Sequence, residues 1–317
     1  MSRNFKKLSV LFLVLVLTLS LVSCGNKEKP QEDVETPVEE VEEKETGSIK
    51  VEDEYGRVFE SEEPAKTVVS LAPSNTEILF ALGLDDEIIG VTSFCNYPEK
   101  ALEKEQIGGF SEINLEKIIE LNPDLVVASG EGDPDVINRL LEADIQVLGY
   151  DPNDIDSIVE SIKSIGLATG KNDEAEELSK EILDGKDEIV KKVEGLEPVR
   201  AIYEIWHDPI TAAGKGSFID SLITIANGEN IAQKADGEYP IFDVETLIEE
   251  DPEVYFLSSD ASEEVVNEIV NRPGFSDVTA IKEGNIFVLD ADTTLRPGPR
   301  IIEALTLIAE SLHPEIK

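Results

Sequence analysis

Short apolar runs alternate with helical patterns along residues 51–151. Four runs rich in Val, Ile and Leu have the length of buried strands, at 68–71, 88–91, 125–128 and 147–150. Between them, apolar residues recur with helical spacing at 75–82, 115–121 and 135–142. Because strands that alternate with helices form mainly parallel sheets covered on both faces, this pattern predicts an N-terminal α/β lobe.

The pattern changes over residues 152–198, where no run is typical of a strand. Helical spacing continues from 154 to 194 with one interruption, expected at 166–170. The second part carries an apolar stripe at Leu178, Ile182, Ile189 and Val193. Strand patterns return from 199, which predicts a C-terminal α/β lobe over 199–317. We therefore expect two mainly parallel-sheet lobes joined by a single long rigid α-helix.

An internal repeat supports the two lobes. The sequence NLEKIIELNPDLVVAS (114–129) aligns without gaps with DVETLIEEDPEVYFLS (243–258). Each copy begins with a residue suited to cap a helix, Asn114 or Asp243, then turns at an Asx-Pro pair and enters an apolar strand. Such units also arise by chance in α/β proteins, but one copy falls on each side of the long helix. This placement favours two related lobes.

The N-terminus has the pattern of a signal peptide. Arg3, Lys6 and Lys7 precede an apolar segment of about 13 residues, which is shorter than the roughly 20 that a membrane-spanning helix needs. The segment ends in LVSCG (21–25), which resembles the lipobox of bacterial lipoproteins. The resemblance implies removal of residues 1–23 and acylation of Cys24 on its sulfur and its new amino group. The alternative is a plain signal peptide or anchor with an incidental cysteine.

Residues 24–50 have the composition of a solvated tether between that lipid and the lobes. From 25 to 47 the chain has nine acidic residues, three lysines and no aromatic residue, a composition that does not build a packed core. Because two or more acyl chains give a stable anchor, we expect an extracytoplasmic protein held at the cell membrane through Cys24.

The charge of the chain excludes some partners. There are 68 Asp and Glu against 27 Lys and Arg, and the formal net charge is −41. A protein this acidic repels phosphate backbones and anionic lipid. We therefore exclude a nucleic-acid partner and attribute membrane attachment to the acyl chains rather than to the protein surface.

Candidate ligand-binding residues follow the predicted strands. Open α/β sheets bind ligands beyond the carboxyl ends of their strands, and bilobed proteins bind them between the lobes. Only 6% of the chain is aromatic, yet four such loops carry an aromatic residue: Tyr97, Phe110, Trp206 and Tyr239. Large rings with polar tips suit a bulky, partly hydrophobic ligand. The alternative for each ring is packing against its own lobe.

The segment RPGPR (296–300) adds two positive charges to these loops. The planar guanidinium of Arg296 is suited to a carboxylate, amide or phosphate of the ligand. An ion pair with one of the many acidic residues of the chain is the alternative. Arg300 stands at the expected start of a helix, where we expect a structural role.

Together these features resemble the class III substrate-binding proteins of bacterial ABC importers, most closely the vitamin B12-binding branch. The resemblance runs from about residue 51 to the C-terminus. It rests on VVSLAPSNTEILFALG (68–83), SFCNYP (93–98), the two repeat copies and RPGPR. It implies the α/β fold of class III periplasmic binding proteins, small closure on binding, and delivery of the ligand to a dimeric permease in the membrane.

The resemblance also implies a pocket. The positions at which B12 binders place pocket residues correspond to Tyr97, Phe110, Tyr239 and Asp292, with Trp206 near another. Two positions depart from the pattern, because Ser129 and Thr293 stand where bulky aromatic residues are found in the family. The implied ligand is cobalamin or a related corrinoid; a ferric siderophore or haem, bound by proteins of the same fold, is the alternative.

Glu116 and Glu245 occupy equivalent places in the two repeat copies, each in the first turn of its helix. One role is to complement the helix dipole, which contributes about 0.3–1 kcal/mol. Two equivalent carboxylates, one per lobe, also suit a two-fold symmetric partner that bears arginines. The resemblance implies this second role, with the permease dimer as the partner.

An enzyme is the main rival class. Cys95 as a nucleophile would need His207 or His313 as a base, and nothing local in the sequence brings them together. The segment 214–217 lacks the upstream glycine of a phosphate loop. A zinc site would need more histidines than the two present, and a surface adhesin or scaffold would not need loop aromatics. We expect non-covalent capture by a monomer, with no cofactor and no metal.

Overall fold

The computed structural model describes residues 48–109, 112–259 and 261–317. The predicted signal peptide, Cys24 and most of the predicted tether lie outside these residues, as does Phe110. Within the described residues, no helix combines the length and the apolar composition needed to cross a membrane.

The first described element is an antiparallel hairpin of β1 (Ile49–Glu52) and β2 (Val58–Ser61). Buried Asp53 fixes it to the N-terminal lobe by accepting hydrogen bonds from Arg57 Nε (2.6 Å) and the amide of Gly149 (2.8 Å). Arg57 in turn donates to the carbonyl of Gly130 at 3.1 Å. The sequence did not predict this hairpin, because its short strands bury little more than Val51 and Phe59.

The N-terminal lobe is a parallel four-stranded sheet with helices on both faces. In chain order its strands are β3 (Val68–Ser70), β4 (Ile88–Val91), β5 (Leu125–Ser129) and β6 (Gln146–Tyr150). They lie in the order β4-β3-β5-β6. The helices between them are α1 (Pro73–Ala81), α2 (Leu115–Leu121) and α3 (Pro134–Glu142). All seven elements agree with the predicted ones to within two residues.

Two helices follow the first lobe, α4 (Ile155–Thr169) and α5 (Asn172–Val193). The break between them lies at Gly170, which has φ +71° and stands at the end of the interruption expected over 166–170. Gly166 lies inside α4, where a Cβ would approach the Cβ of Ala175 to 2.5 Å. The glycine therefore permits close packing of α4 on α5.

The 22-residue α5 is the connecting helix, and it packs on α4 and on the last α-helix of the C-terminal lobe. Ile182, Ile189 and Val193 belong to one continuous apolar core that includes Ile78 of α1 and Leu305 of the C-terminal lobe. Because burial of one such side chain stabilises by about 1.5–3 kcal/mol, this shared core opposes separation of the lobes along α5.

The C-terminal lobe has a second, separate sheet. Its strands are β7 (Val199–His207), β8 (Ile210–Ala212), β9 (Gly228–Asn230), β10 (Val254–Ser258) and β11 (Ile286–Leu289). They lie in the order β11-β10-β7-β8, with β9 beside the first part of β7, and only β8 is antiparallel. The predicted architecture of two mainly parallel lobes and one long connecting helix is confirmed.

Six helices belong to the second lobe. They are α6 (Phe218–Ile225), α7 (Val244–Glu250), α8 (Glu263–Val270), α9 (Thr279–Glu283), α10 (Ala291–Thr294) and α11 (Ile301–Leu312). His313 follows α11 and is 2% exposed, with Nε2 3.4 Å from the carbonyl of Asn227. His313 is buried because the last turn of α11 packs on the turn before β9.

The repeat predicted from the sequence has the same local structure in both lobes. Asn114 caps α2 by accepting from the amide of Lys117 at 3.1 Å, and Asp243 caps α7 by accepting from the amide of Thr246 at 3.0 Å. Both helices end at an Asx residue in the left-handed region, with φ +47° and +45°. Each then enters a buried strand, β5 or β10.

Candidate functional site

The carboxyl ends of strands from both sheets meet at a cleft between the lobes. From the N-terminal lobe, α1 follows β3, and the loop with Asn96 and Tyr97 follows β4. From the C-terminal lobe, α10 and the segment with Arg296 follow β11. Side chains of these two groups contact one another directly, as the next paragraphs describe.

The strongest contact across the cleft is made by Glu77 of α1. Its carboxylate accepts from Arg300 Nε at 2.8 Å and Nη2 at 2.6 Å, and from Arg296 Nη1 at 3.2 Å. The Glu77 side chain is 2% exposed, and the two arginine side chains are about 15% exposed. Hydrogen bonding to Glu77 raises the pKa of the Arg300 guanidinium, so this guanidinium stays charged. Arg300 therefore has the structural role expected for it.

A second set of polar contacts lies beside this bridge. Asn96 donates from Nδ2 to Asp292 Oδ2 at 2.7 Å and accepts from Arg296 Nη1 at 2.7 Å. Arg296 also donates from Nη2 to Asp292 Oδ1. The predicted ligand-binding pair, Asp292 and Arg296, is thus bonded internally and to the opposite lobe. A ligand can still bind Asp292, whose side chain is 44% exposed, whereas the Arg296 side chain is only 14% exposed.

Tyr97 is 47% exposed and lies on the cleft side of its loop. The guanidinium carbon of Arg300 lies 4.2 Å from the centre of its ring. This cation–π contact stabilises by about 0.5–1 kcal/mol where water reaches the pair. Tyr97 therefore packs against the opposite lobe, and not against its own as the alternative held.

Tyr239 comes from the second lobe and is 56% exposed. Burial raises the pKa of its hydroxyl, and the carboxylates of Glu238 and Asp151 raise it further. Asp151 directly follows β6 of the first lobe. The charge of a first-lobe residue therefore contributes to the raised pKa of this second-lobe hydroxyl.

Tyr55 is an aromatic residue of this region that the sequence did not reveal. It lies in the turn between β1 and β2, and the guanidinium carbon of Arg57 is 5.0 Å from its ring centre. Burial, followed by the charge of Glu54 and the nearby Asp151, raises the pKa of the Tyr55 hydroxyl to about 12. The charge of Asp151 thus acts on the hydroxyls of both Tyr55 and Tyr239.

Trp206 lies near the end of β7 and is 58% exposed. Its indole N–H donates to the carbonyl of Asp208 at 2.9 Å, and its ring centre is 5.1 Å from that of His207. The ring is held by its own turn, and one face of the residue lines a cavity at the carboxyl ends of β7 and β10.

The two predicted docking residues, Glu116 and Glu245, are exposed in the first turns of α2 and α7, one on each lobe. Cys95 is buried, and its sulfur contacts the hydroxyls of Thr76 at 3.1 Å and Thr92 at 3.2 Å. The described part of the chain has no group of three or more His, Cys, Asp or Glu arranged to hold a metal ion.

Sequence reasoning missed Glu77 and Asn96, although both lie in the quoted motifs. One signal was available for Glu77, because it is the single charged residue of an otherwise uncharged helix. A lone carboxylate in such a helix needs a buried cationic partner, and RPGPR supplies two. Asn96 carries no comparable signal, since asparagine is common in exposed loops.

Comparison with known proteins agrees with this architecture. The family model described as periplasmic binding protein matches residues 68–293. The chain is 29% identical over 318 residues to an uncharacterized ABC transporter substrate-binding lipoprotein, YvrC, of Bacillus subtilis, and the match covers 98% of each chain.

Solved structures of similar proteins bind different ligands. The periplasmic vitamin B12 binding protein BtuF of Vibrio cholerae is 26% identical with a TM-score of 0.71, covering 80% of this chain and 99% of its own. The periplasmic heme-binding protein RhuT of Roseiflexus is 25% identical with a TM-score of 0.72, covering 80% of this chain and all of its own. The similarity therefore fixes the fold and leaves the ligand to be argued from the cleft.

The bridge between the lobes predicts a stability effect. Glu77→Gln keeps the shape of the side chain but leaves two largely buried guanidinium groups without their carboxylate. We expect the free energy of unfolding to fall by about 3 kcal/mol. Urea denaturation of the variant and the wild type measures it.

Glu99→Gln is the matched control, because it removes the same charge from an exposed position of the same lobe. We expect it to change the free energy of unfolding by less than about 0.5 kcal/mol. Equal effects of the two substitutions would contradict the assignment of a bridging role to Glu77.

Proposed function

Because the chain belongs to the periplasmic binding protein family and is an ABC-type substrate-binding protein, we propose that it captures cobalamin or a related corrinoid between its lobes and delivers it to a permease. The observation that carries the proposal is the set of exposed rings at the cleft. Tyr97, Tyr239 and Trp206 are each about half exposed. Exposed apolar groups concentrated at one site are typical of a binding surface.

The shape of these side chains suits a large flat ligand. Tyrosine and tryptophan rings offer rigid apolar area with a polar tip, and they lose little conformational entropy on binding. Tyr97 comes from the first lobe, and Tyr239 and Trp206 come from the second. These rings can therefore contact a ligand that has two apolar faces and polar edges from both lobes.

The charges of the cleft favour an uncharged ligand. Arg296 and Arg300 are both bound to Glu77, and Arg296 also pairs with Asp292. Two arginines and two carboxylates thus cancel, and the chain as a whole is strongly acidic. A corrinoid carries neutral amide side chains, whereas haem carries propionates that require free cations. The charge balance supports the corrinoid over the haem.

An iron-chelate or haem ligand is the alternative. The similarity to a heme-binding protein is as high in TM-score as the similarity to the B12 binder. If Asn96 and Glu77 released Arg296 on binding, its guanidinium would suit a ligand carboxylate. The titration described below separates the two ligands.

A membrane anchor and a docking surface complete the proposed delivery. We propose that the lipid on Cys24 anchors the protein and that it acts as a monomer; a relative of matching length is named a lipoprotein. Since α5 shares its core with both lobes, binding and release involve modest lobe movement. Glu116 and Glu245, exposed on equivalent helices, dock to arginines of the permease dimer.

Titration of the purified protein tests the ligand. We expect cyanocobalamin to change the fluorescence of Trp206, the single tryptophan of the chain, with saturation, and haem and ferric siderophores to bind more weakly. Tyr97→Ala and Tyr239→Ala should each weaken binding about tenfold, which corresponds to about 1.4 kcal/mol.

Val190→Ala is the control for these variants. Val190 is 43% exposed on α5, outside the cleft loops, so the substitution should leave affinity unchanged. If haem binds more tightly than cyanocobalamin, the ligand is haem and the corrinoid assignment is wrong. If neither tyrosine substitution changes the affinity, the proposal that the ligand binds in the cleft is wrong.

Charge reversal tests docking. We expect Glu116→Lys combined with Glu245→Lys to abolish uptake into cells while leaving ligand affinity intact, because both positions are exposed and outside the cleft. Uptake of labelled ligand and the titration above measure the two effects.

The control is the double variant Glu120→Lys with Glu249→Lys. It makes the same change of charge at exposed positions of the same two helices, one turn further on. Uptake should persist in this variant. If both double variants take up ligand equally, the docking role of Glu116 and Glu245 is wrong.

A further inference from the structure

A small cavity lies at the carboxyl edge of the second sheet, where β7 and β10 separate. Its volume is about 210 Å³, and it is lined by Glu204, Ile205, Trp206, His207, Leu257, Ser258, Ala261 and Val265. Ser259, next along the chain, donates from its amide to the carbonyl of Leu289 at 2.7 Å and accepts at Oγ from the amide of Ala291 at 3.0 Å. The cavity therefore lies on the same edge as α10, which carries Asp292.

Glu204 places a carboxyl group in the wall of this cavity. The residue is 2% exposed. Its Oε2 accepts from the hydroxyl of Tyr255 and from Arg272 Nη1 at 3.2 Å. Its Oε1 is buried and has no hydrogen-bond partner among the described residues. A buried acceptor left without a partner costs about 1–3 kcal/mol, so its presence in a folded protein needs an explanation.

The surroundings of Glu204 hold this oxygen in a fixed place. Arg272 also donates from Nη2 to the carbonyl of His207 at 2.9 Å, and its guanidinium carbon lies 4.9 Å from the ring centre of Phe275. Tyr255 is fully buried. With Oε2 held by two anchored donors, the carboxyl plane cannot turn freely, and Oε1 stays a preorganised acceptor.

Packing alone does not explain why the carboxyl group of Glu204 is buried here. An ion pair this buried is often no more stabilising than apolar side chains of similar volume. The neighbouring walls, Ile205, Leu257 and Val265, are apolar. Burial raises the pKa of the Glu204 carboxyl, and the bonds from Tyr255 and Arg272 lower it. A donor brought to Oε1 would stabilise the ionised form further.

We propose that the Glu204 cavity is a subsite for a hydrogen-bond-donating nitrogen group of the ligand, a primary amide or an alkylammonium on a short alkyl arm. The nitrogen donates to Oε1, and the alkyl carbons contact Leu257 and Val265, which belong to one apolar cluster. A volume of about 210 Å³ corresponds to roughly seven water molecules at ~30 Å³ each, which suits an arm of a few heavy atoms. The subsite rests on the proposed function only in assigning that arm to the captured ligand.

Three small probes of equal length test the subsite in the full-length protein: propionamide, propylammonium and propionate. Trp206 lines the cavity and is the only tryptophan, so its fluorescence reports occupancy. We expect propionamide and propylammonium to bind with saturation and propionate to bind at least tenfold more weakly. Propylammonium bound at least tenfold more tightly than propionamide identifies a cationic arm, and the reverse identifies an amide arm.

The decisive variant is Glu204→Gln. Because Tyr255 and Arg272 are both donors, the amide oxygen of the glutamine turns to them and its NH₂ group faces the cavity. We expect propionamide and propylammonium to lose at least tenfold in affinity and propionate to gain. Glu268→Gln is the matched control, because it makes the same change at an exposed position of α8 that does not line the cavity; binding of propionamide should be retained.

Ala261→Leu keeps the test available if Glu204→Gln fails to fold. It adds bulk to the wall of the cavity and leaves Glu204 untouched, so all probes should lose affinity. Equal binding of propionamide and propionate to the wild type, no response to any probe, or unchanged binding in Glu204→Gln would each overturn the subsite.

The outcomes separate the subsite from the proposed function. If propionamide binds through Glu204 while cyanocobalamin does not bind at all, the corrinoid assignment fails and the subsite stands. If cyanocobalamin binds equally to the wild type and to Glu204→Gln, the function stands and the subsite is wrong.

Discussion

The carboxylate of Glu77 is the polar link on which the arrangement of the two lobes depends. It lies in the first helix of one lobe, and its partners Arg296 and Arg300 lie more than 200 residues later in the other. Removing two guanidinium groups and a carboxylate from water is costly, and the bidentate geometry of the pair offsets that cost. The bridge therefore fixes how the carboxyl edges of the two sheets face each other.

The lobes are thus held together in two physically different ways. Along α5, a continuous apolar core joins them, and its stabilisation does not depend on a particular orientation of each group. Across the cleft, the contacts are directional hydrogen bonds between Glu77, Asn96, Asp292 and the arginines. Directional polar bonds can be exchanged for bonds to a ligand, whereas the apolar core cannot. Movement on binding is therefore expected at the cleft, with α5 as the fixed side.

Much of the fold was predictable because it depends on local patterns. Buried parallel strands such as β5 are nearly continuous apolar runs, and α5 shows its stripe at helical spacing. Elements with weaker signals were missed. The three-residue strands β8 and β9 are too short to show a period. The sequence placed the helix break between two glycines, and only the structure shows that Gly170 ends α4 while Gly166 allows α4 to pack on α5.

The candidate site was predictable only in part. The rule that ligands bind beyond the ends of strands located the loops of Tyr97, Tyr239 and Asp292. The partners of these residues, and the role of Glu204, depend on contacts between distant segments. The sequence places residue 204 in a strand. Only the packing of α8 and Arg272 shows that its carboxyl group is buried, with one oxygen that has no hydrogen-bond partner in the described part of the chain.

The central claim is that one ligand is held by both lobes at once. Hydrogen–deuterium exchange of the protein with and without saturating cyanocobalamin measures this most directly. The account predicts slower exchange in residues 94–97 of the first lobe and in residues 236–241 of the second, with no change along Asn172–Val193 of α5. Protection confined to one lobe, or protection of α5 in place of the two loops, would contradict it.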